Sequence, residues 1–141
     1  MATIQVVTRY NTHMPGFTDS YENTLLNHVF RNGAYTPPTT VYIGVFTATP
    51  TDSAAGTEVS GGAYARQAVT FGAAASGSVT NSAVVEFPAA TAAWGTVTSM
   101  GIFDAPTAGA LIVYGNLTAS VTIGVSDILR FAAGAITVSL D

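Results

Sequence analysis

The chain contains no cysteine and no lysine, and only 9% of its 141 residues are charged. Without cysteine there can be no disulfide framework and no thiolate metal site, and the composition fits a protein made in a reducing cytoplasm. Ordinary soluble domains carry about 25% charged residues, so the exterior here must be built mostly from Thr, Ser, Asn, Gly and Ala. A surface of that kind suits a protein packed against neighbours better than one diffusing alone. The four basic residues, Arg9, Arg31, Arg66 and Arg130, are scattered, and the net charge is -4. Binding to nucleic acid requires clustered Lys and Arg to neutralise phosphates, and an anionic membrane surface makes the same demand. Neither partner is therefore expected. No run of 18 apolar residues exists to form a transmembrane helix. The first residues, MATIQVVTRYNTHMPG, lack the basic start and long apolar middle of a secretory signal.

What is present divides into three zones. Residues 1–17 read as an extended arm: Ile4, Val6 and Val7 favour β structure, and Pro15-Gly16 is a breaker pair. No nearby segment offers a hairpin partner, and such an arm commonly adds a strand to another molecule's sheet. Arg9, Tyr10, Met14 and Phe17 are its candidate partner-binding residues, since Tyr, Met and Arg are enriched at interfaces. A short helix is predicted over 19–32. Asp19 and Glu22 have capping-box spacing, Tyr21, Leu25, His28 and Val29 form an apolar stripe expected to face the domain body, and Asn32-Gly33 supplies the stop.

From Thr39 onward the signal is β. The runs Thr39–Phe46, Ala65–Phe71, Ala83–Phe87, Thr96–Phe103, Ala110–Leu117, Ser120–Ile123, Ile128–Phe131 and Ala135–Leu140 are separated by Gly, Pro, Asp and Ala-Ser loops. In the first, Val41, Ile43 and Val45 alternate with Tyr42, Gly44 and Phe46. In the last, Ile136, Val138 and Leu140 alternate with Thr137 and Ser139. The expected fold is all-β: a jelly-roll-like antiparallel β-sandwich with an N-terminal extended arm and one short helix, forming a single domain over 18–141. An immunoglobulin-like sandwich is second, but its Cys-Trp-Cys pattern is missing. Trp94 is expected to anchor the core at one end.

Chemistry is hard to assemble from these residues. His13 and His28 have no acidic or histidine partner at ligand spacing on the same element, and no D-x-D-x-D run exists for calcium. There is no G-x-S-x-G elbow and no P-loop. Gly61-Gly62 falls in a turn between strands, not ahead of a helix, so it is no phosphate cradle. Neither metal nor cofactor is expected. A glycosidase-like pair could be drawn only from loop carboxylates such as Asp52, Glu58 and Asp104, and nothing in their spacing favours it. Local pairs are expected between Asp127 and Arg130 and, across a turn, between Glu58 and Arg66.

The segment VYIGVFTATPTDSAAGTEVSGGAYARQAVTF and the block SVTNSAVVEFPAATAAWGTVTSMGIFDA resemble a family of small bacteriophage virion proteins commonly labelled tail-fibre proteins. The resemblance rests on Glu58-Val59-Ser60-Gly61-Gly62, Tyr64-Ala65-Arg66, Phe87-Pro88, Trp94-Gly95-Thr96-Val97, Gly101-Ile102-Phe103-Asp104, Phe131-Ala132-Ala133-Gly134, and Tyr21–Leu26 with Ala34-Tyr35. It covers nearly everything from Thr18 onward. Similar jelly-roll proteins serve as capsid cement or decoration proteins. The resemblance implies a non-enzymatic structural protein of the virion. The expected role is that of a capsid cement or decoration protein that stabilises the head, a homotrimer bound to the major capsid protein with its arm lying across capsid subunits. A tail-fibre or tail-tip module recognising the host surface is the alternative, and it predicts exposed aromatics in the loops Pro50–Gly62 and Pro88–Gly95.

Overall fold

A computed structural model of the chain describes residues 12–14 and 16–140. It is an all-β sandwich of mostly antiparallel strands with one short helix among the described residues. The elements in chain order are β1 (Thr12–Met14), β2 (Gly16–Phe17), α1 (Asp19–Arg31), β3 (Val41–Ala48), β4 (Thr57–Glu58), β5 (Gln67–Val69), β6 (Ser78–Thr80), β7 (Val85–Glu86), β8 (Gly95–Phe103), β9 (Leu111–Ile123), β10 (Arg130–Phe131) and β11 (Ile136–Ser139).

One sheet has the order β2-β9-β8-β3-β4, with β5 also pairing β3. A second runs β1-β11-β6, and β10-β7 forms a short third ladder. Strands from all three share one core that includes Ile43, Val45, Val97, Met100, Ile123, Phe87, Phe131 and Ile136. The runs Ala110–Leu117 and Ser120–Ile123, expected as two strands, are one 13-residue strand, β9. The expected loops hid two short strands, β4 and β6, because two or three residues carry too little alternation to register as a period.

The central strand β8 shows how sequence becomes packing. Val97, Met100 and Ile102 all belong to the core, although a strict period of two would send Val97 to the opposite face from the other two. The ladder with β9 shifts register between Val97 and Ser99. Two steps along β8 there span five along β9, and the irregularity resets the phase, so both halves of β8 present apolar side chains inward. The other face is covered as well: Phe103 stacks on Phe46 with ring centroids 6.0 Å apart, and the Arg66 guanidinium lies over the Phe103 ring.

The arm departs from expectation at its root. Thr12–Met14 pair in parallel with Ile136–Val138 of the same chain, and Gly16-Phe17 pair with Tyr114 and Val113. The partners lie about a hundred residues away in sequence, so no hairpin signal could announce them. Arg9 and Tyr10 lie outside the described residues.

The helix begins and ends close to expectation, but its contacts differ. Its cap is Thr18, not Asp19, and the Thr18 hydroxyl donates to the Leu111 carbonyl instead of capping the helix. Asn32, in the left-handed conformation, stops it. Of the predicted stripe, Tyr21 and His28 meet the edge of Tyr35, and the Tyr21 hydroxyl donates to Asp104 at 3.3 Å. Leu25 is half-buried and Val29 is exposed, and no residue of α1 is buried.

Candidate functional site

Three features of the surface and near-surface could carry function: a buried polar bracket, a cleft at the arm root, and the outer face of α1.

The bracket fills a gap in a ladder. Strand β3 pairs with β5 at Val41–Ile43 and with β4 at Phe46 and Ala48. Between these segments the Val45 N–H donates to the Tyr64 hydroxyl at 3.0 Å, and the Val45 carbonyl accepts from the Val59 N–H. The Tyr64 hydroxyl donates onward to Glu58 Oε1 at 2.8 Å, and Arg66 grips both Glu58 oxygens, through Nε at 2.8 Å and Nη2 at 2.7 Å. The remaining Arg66 nitrogen donates to the carbonyls of Ala105 and Ala108, tying down the β8–β9 loop. The Arg66 and Glu58 side chains are only 10% and 25% exposed. The pair anticipated across this turn is thus a desolvated, bidentate one, a stronger arrangement than a surface pair. Gly44 is required beneath it: an added Cβ would come within 2.8 Å of Glu58 Oε1 and 2.9 Å of the Phe103 ring.

Tyr64 also stacks on Phe87 and meets Trp94 edge-on at 5.3 Å, and the Trp94 indole donates to the Gly62 carbonyl. Trp94 is the expected core anchor. Burial pushes the Tyr64 phenol well above its ordinary range; the donated Val45 N–H opposes this, and the Glu58 charge adds to it. Asn81, missed in the sequence, does similar work on the other sheet. It is 1% exposed, donates to the Ala83 and Ala132 carbonyls, and accepts from the Ile136 N–H. An Asn inside the Val-rich run SVTNSAVV was the available signal, because Asn is depleted in strands unless its amide has a job.

The cleft at the arm root, about 290 Å³, is lined by Gly16, Phe17, Glu22, Asp52, Tyr114 and Asn116 among others. The Tyr114 hydroxyl donates to Asp52 at 2.6 Å, and that bond, aided by burial, pushes the phenol up to about 12. Of the arm residues, Phe17 is half-buried and packs on the core, while Met14 contributes its backbone to β1 opposite Val138. The three carboxylates expected in loops each hold a different structural partner, and Glu58 lies in β4 and not in a loop: Asp52 holds Tyr114, Glu58 holds Arg66, and Asp104 accepts from Tyr21 and the Ala110 N–H. Asp127 accepts the Gly124 N–H, and Arg130 faces Glu86 at 3.6 Å instead of Asp127. The His28 ring bonds the Gly33 carbonyl. Among the described residues no three His, Asp or Glu gather to hold a metal, and no helix is long and apolar enough to cross a membrane.

The outer face of α1 is the most unusual surface. Leu26, Val29 and Phe30 are 54%, 67% and 78% exposed, and Leu140, after β11, is 62% exposed beside them. With Leu25 and Glu22 they line a cleft of about 320 Å³. A second apolar cleft of about 260 Å³, lined by Phe17, Val79, Val138 and Leu140 among others, adjoins it through Leu140. Surface leucines occur singly in most proteins, but a contiguous apolar patch marks an interaction site.

Fold and site together define a small β module braced by polar brackets, with an apolar patch exposed on α1. The family described as podophage GP4 fiber I protein gp80 matches residues 16–139, and the chain belongs to that family. It is thus a structural protein of the bacteriophage virion. No curated protein matches the chain.

Proposed function

We propose that the chain is a subunit of a virion fibre that works by docking, with no catalytic step of its own. The observation that carries this reading is a helix with no buried residue that turns Leu26, Val29 and Phe30 to solvent, within a family described by its fibre. An isolated helix of 13 residues is marginal in water, and most helical stability in proteins comes from packing an apolar face. Here the domain body supplies little of that packing, so the assembled particle supplies the rest. The low charge of the chain serves the same end, since few ions need be stripped of water when its faces are covered. The segment ahead of β1, with Arg9 and Tyr10, is placed by this reading at a contact with a neighbouring virion protein, and Met14 and Phe17 fasten its root to the domain.

The loops assigned to host recognition argue for docking over glycan binding. Pro50–Gly62 contains no aromatic residue, and Trp94, the one aromatic in Pro88–Gly95, is buried in the core. Antibody labelling of intact virions, read by electron microscopy, tests the assignment: label on fibres is expected. Label over the head shell, at the major capsid protein, would replace it with the cement reading.

A further inference from the structure

We infer that Asn32-Gly33, the stop of α1, is a site of spontaneous covalent modification: the Asn32 side chain loses its amide through a cyclic imide, at a rate set by opening of the last helical turn. The inference is independent of what docks on α1. Of the asparagines in the chain, only Asn32 precedes a glycine. The reaction needs that neighbour. The Gly33 backbone nitrogen gives up its proton to solvent, attacks the Asn32 side-chain carbonyl carbon and forms a C–N bond. The bond to Nδ2 then breaks, and ammonia leaves, taking a proton back from solvent. Water opens the five-membered ring. Cleavage on the side-chain arm leaves ordinary aspartate. Cleavage on the backbone arm leaves an isoaspartyl link, in which the main chain runs through the former side chain. One water is consumed, one ammonia is released, and nothing is oxidised or reduced. A Cβ on the following residue crowds the attacking nitrogen, and glycine has none. Asn11, Asn23, Asn27 and Asn116 are followed by Thr, Thr, His and Leu. Asn81 precedes the small Ser82, but its amide is held in the core by the Ala83 and Ala132 carbonyls and the Ile136 N–H.

The fold restrains this reaction by local means. Ring closure brings the Asn32 Cβ and the Gly33 nitrogen into eclipse about the Cα–C bond. At φ 52° and ψ 33°, the left-handed cap conformation, the two stand well apart. The Gly33 N–H donates to the Asn27 carbonyl at 2.9 Å, so the nucleophile is occupied. The His28 ring bonds the Gly33 carbonyl at 2.9 Å and pins the other side of the residue. All three restraints belong to the last turn of α1. That helix has no buried residue, and Asn32 is exposed. A helix end of this kind frays at a free energy far below that of unfolding the whole domain. Each opening releases the Gly33 nitrogen and lets ψ change. The product then acts back on the turn. A carboxylate appears where the helix dipole is already negative. The isoaspartyl form also lengthens the main chain by one carbon, which displaces Gly33 from Asn27 and His28. Leu26, Val29 and Phe30 ride on this turn, so the modification unsettles the exposed face they form.

The purified full-length chain, aged in neutral buffer at physiological temperature, tests this. With no lysine present, trypsin cuts only at the four arginines, and the fragment Asn32–Arg66 carries Asn32 as its one side-chain amide. Mass spectrometry of that fragment reads the conversion of amide to carboxylate, and labelling by isoaspartyl methyltransferase counts the isoaspartyl share. Conversion at Asn32 should outrun that at every other asparagine by roughly tenfold or more. Gly33→Ala should slow it by a similar factor; its added Cβ meets the Asn27 carbonyl at 3.1 Å, which the exposed turn can relax. The same chain in urea should convert about 10–100-fold faster than the folded chain, well short of the roughly 10³–10⁸ of global unfolding. His28→Ala should raise the folded rate toward the urea rate, since alanine keeps the helix and removes the pin. In the converted chain, separated by its added charge, amides of Asp19–Arg31 should exchange faster while those of β8 and β9 stay unchanged. Conversion at Asn32 no faster than elsewhere would overturn the site. Equal rates folded and in urea, a folded rate as slow as global unfolding dictates, or no response to His28→Ala would overturn its control by the last turn. A converted chain whose α1 exchanges as before would overturn the effect on the helix.

Discussion

The β body and the helix of this protein solve opposite problems with similar residues. In the body, buried and half-buried polar side chains are put to structural use: Asn81 bridges β6, β11 and the segments around Ala83 and Ala132, and Glu58, Tyr64 and Arg66 close the gap in the β3 ladder. On α1, apolar side chains of ordinary core type face water. The body buries its apolar faces within one protomer, and the helix leaves part of its own uncovered. Strength is concentrated where the chain must hold its shape, and the unsatisfied surface is placed where it can be offered to a partner.

The sharpest way to break this contrast is to attack the body. Asn81→Leu should cost about 3–5 kcal/mol in urea unfolding, because it strands the Ile136 N–H and two carbonyls in the core at roughly 1–3 kcal/mol each. A loss near zero would mean that the bracket is decorative. Arg66→Met comes next. It leaves Glu58 partly buried without its partner, which costs about 3–5 kcal/mol for a fully buried pair. The residual exposure of both side chains lowers the expectation to about 2–3 kcal/mol. The double variant Arg66→Met with Glu58→Met should recover much of that loss, since no unpaired charge then remains.

Alkaline titration probes both regions through their tyrosines. The folded-state pKa of Tyr114 lies near 12 against an ordinary value of 10.0, and Tyr21 and Tyr64 are raised as well. A raised pKa means that the folded state holds the proton more tightly. The stabilisation is therefore complete below pH 10 and lost as pH climbs through the folded value. Stability should fall above pH 10. In Tyr64→Phe that fall should be shallower, measured as urea midpoints against pH, from a lower starting stability.

Smaller effects sharpen the picture. Ala63 holds a φ of 63°, a left-handed conformation that costs a non-glycine residue about 1–2 kcal/mol. Set against the extra chain entropy of glycine, Ala63→Gly should stabilise by about 0.5–1 kcal/mol. Smallest of all, Phe30→Ser should change the stability of the dilute chain by no more than about 0.5 kcal/mol, although a buried Phe would lose several. A large loss there would show that the helix face belongs to the domain core.

Much of the body was legible because alternation is a strong signal wherever one face is buried. Val41–Val45 and Ile136–Val138 announce their inward residues directly. What escaped was non-local or too short. The Val97–Ser99 register shift, the pairing of β1 with β11, and the hydrogen bonds of Asn81 depend on partners that no window of sequence contains. On the helix, Tyr21, Leu25 and His28 mark the side toward the body, but periodicity cannot say that Leu26, Val29 and Phe30 are left for something else. The Glu58–Arg66 pair was visible, and its strength was not, because burial is a property of the folded neighbourhood.

Hydrogen exchange measured on the dilute chain and on intact virions tests the division most directly. Amides of Asp19–Arg31 should exchange orders of magnitude faster than those of β8 and β9 in the dilute chain, and should become protected in the particle while the strands change little. Protection of α1 equal to that of β8 in the dilute chain, unaltered by assembly, would contradict the account.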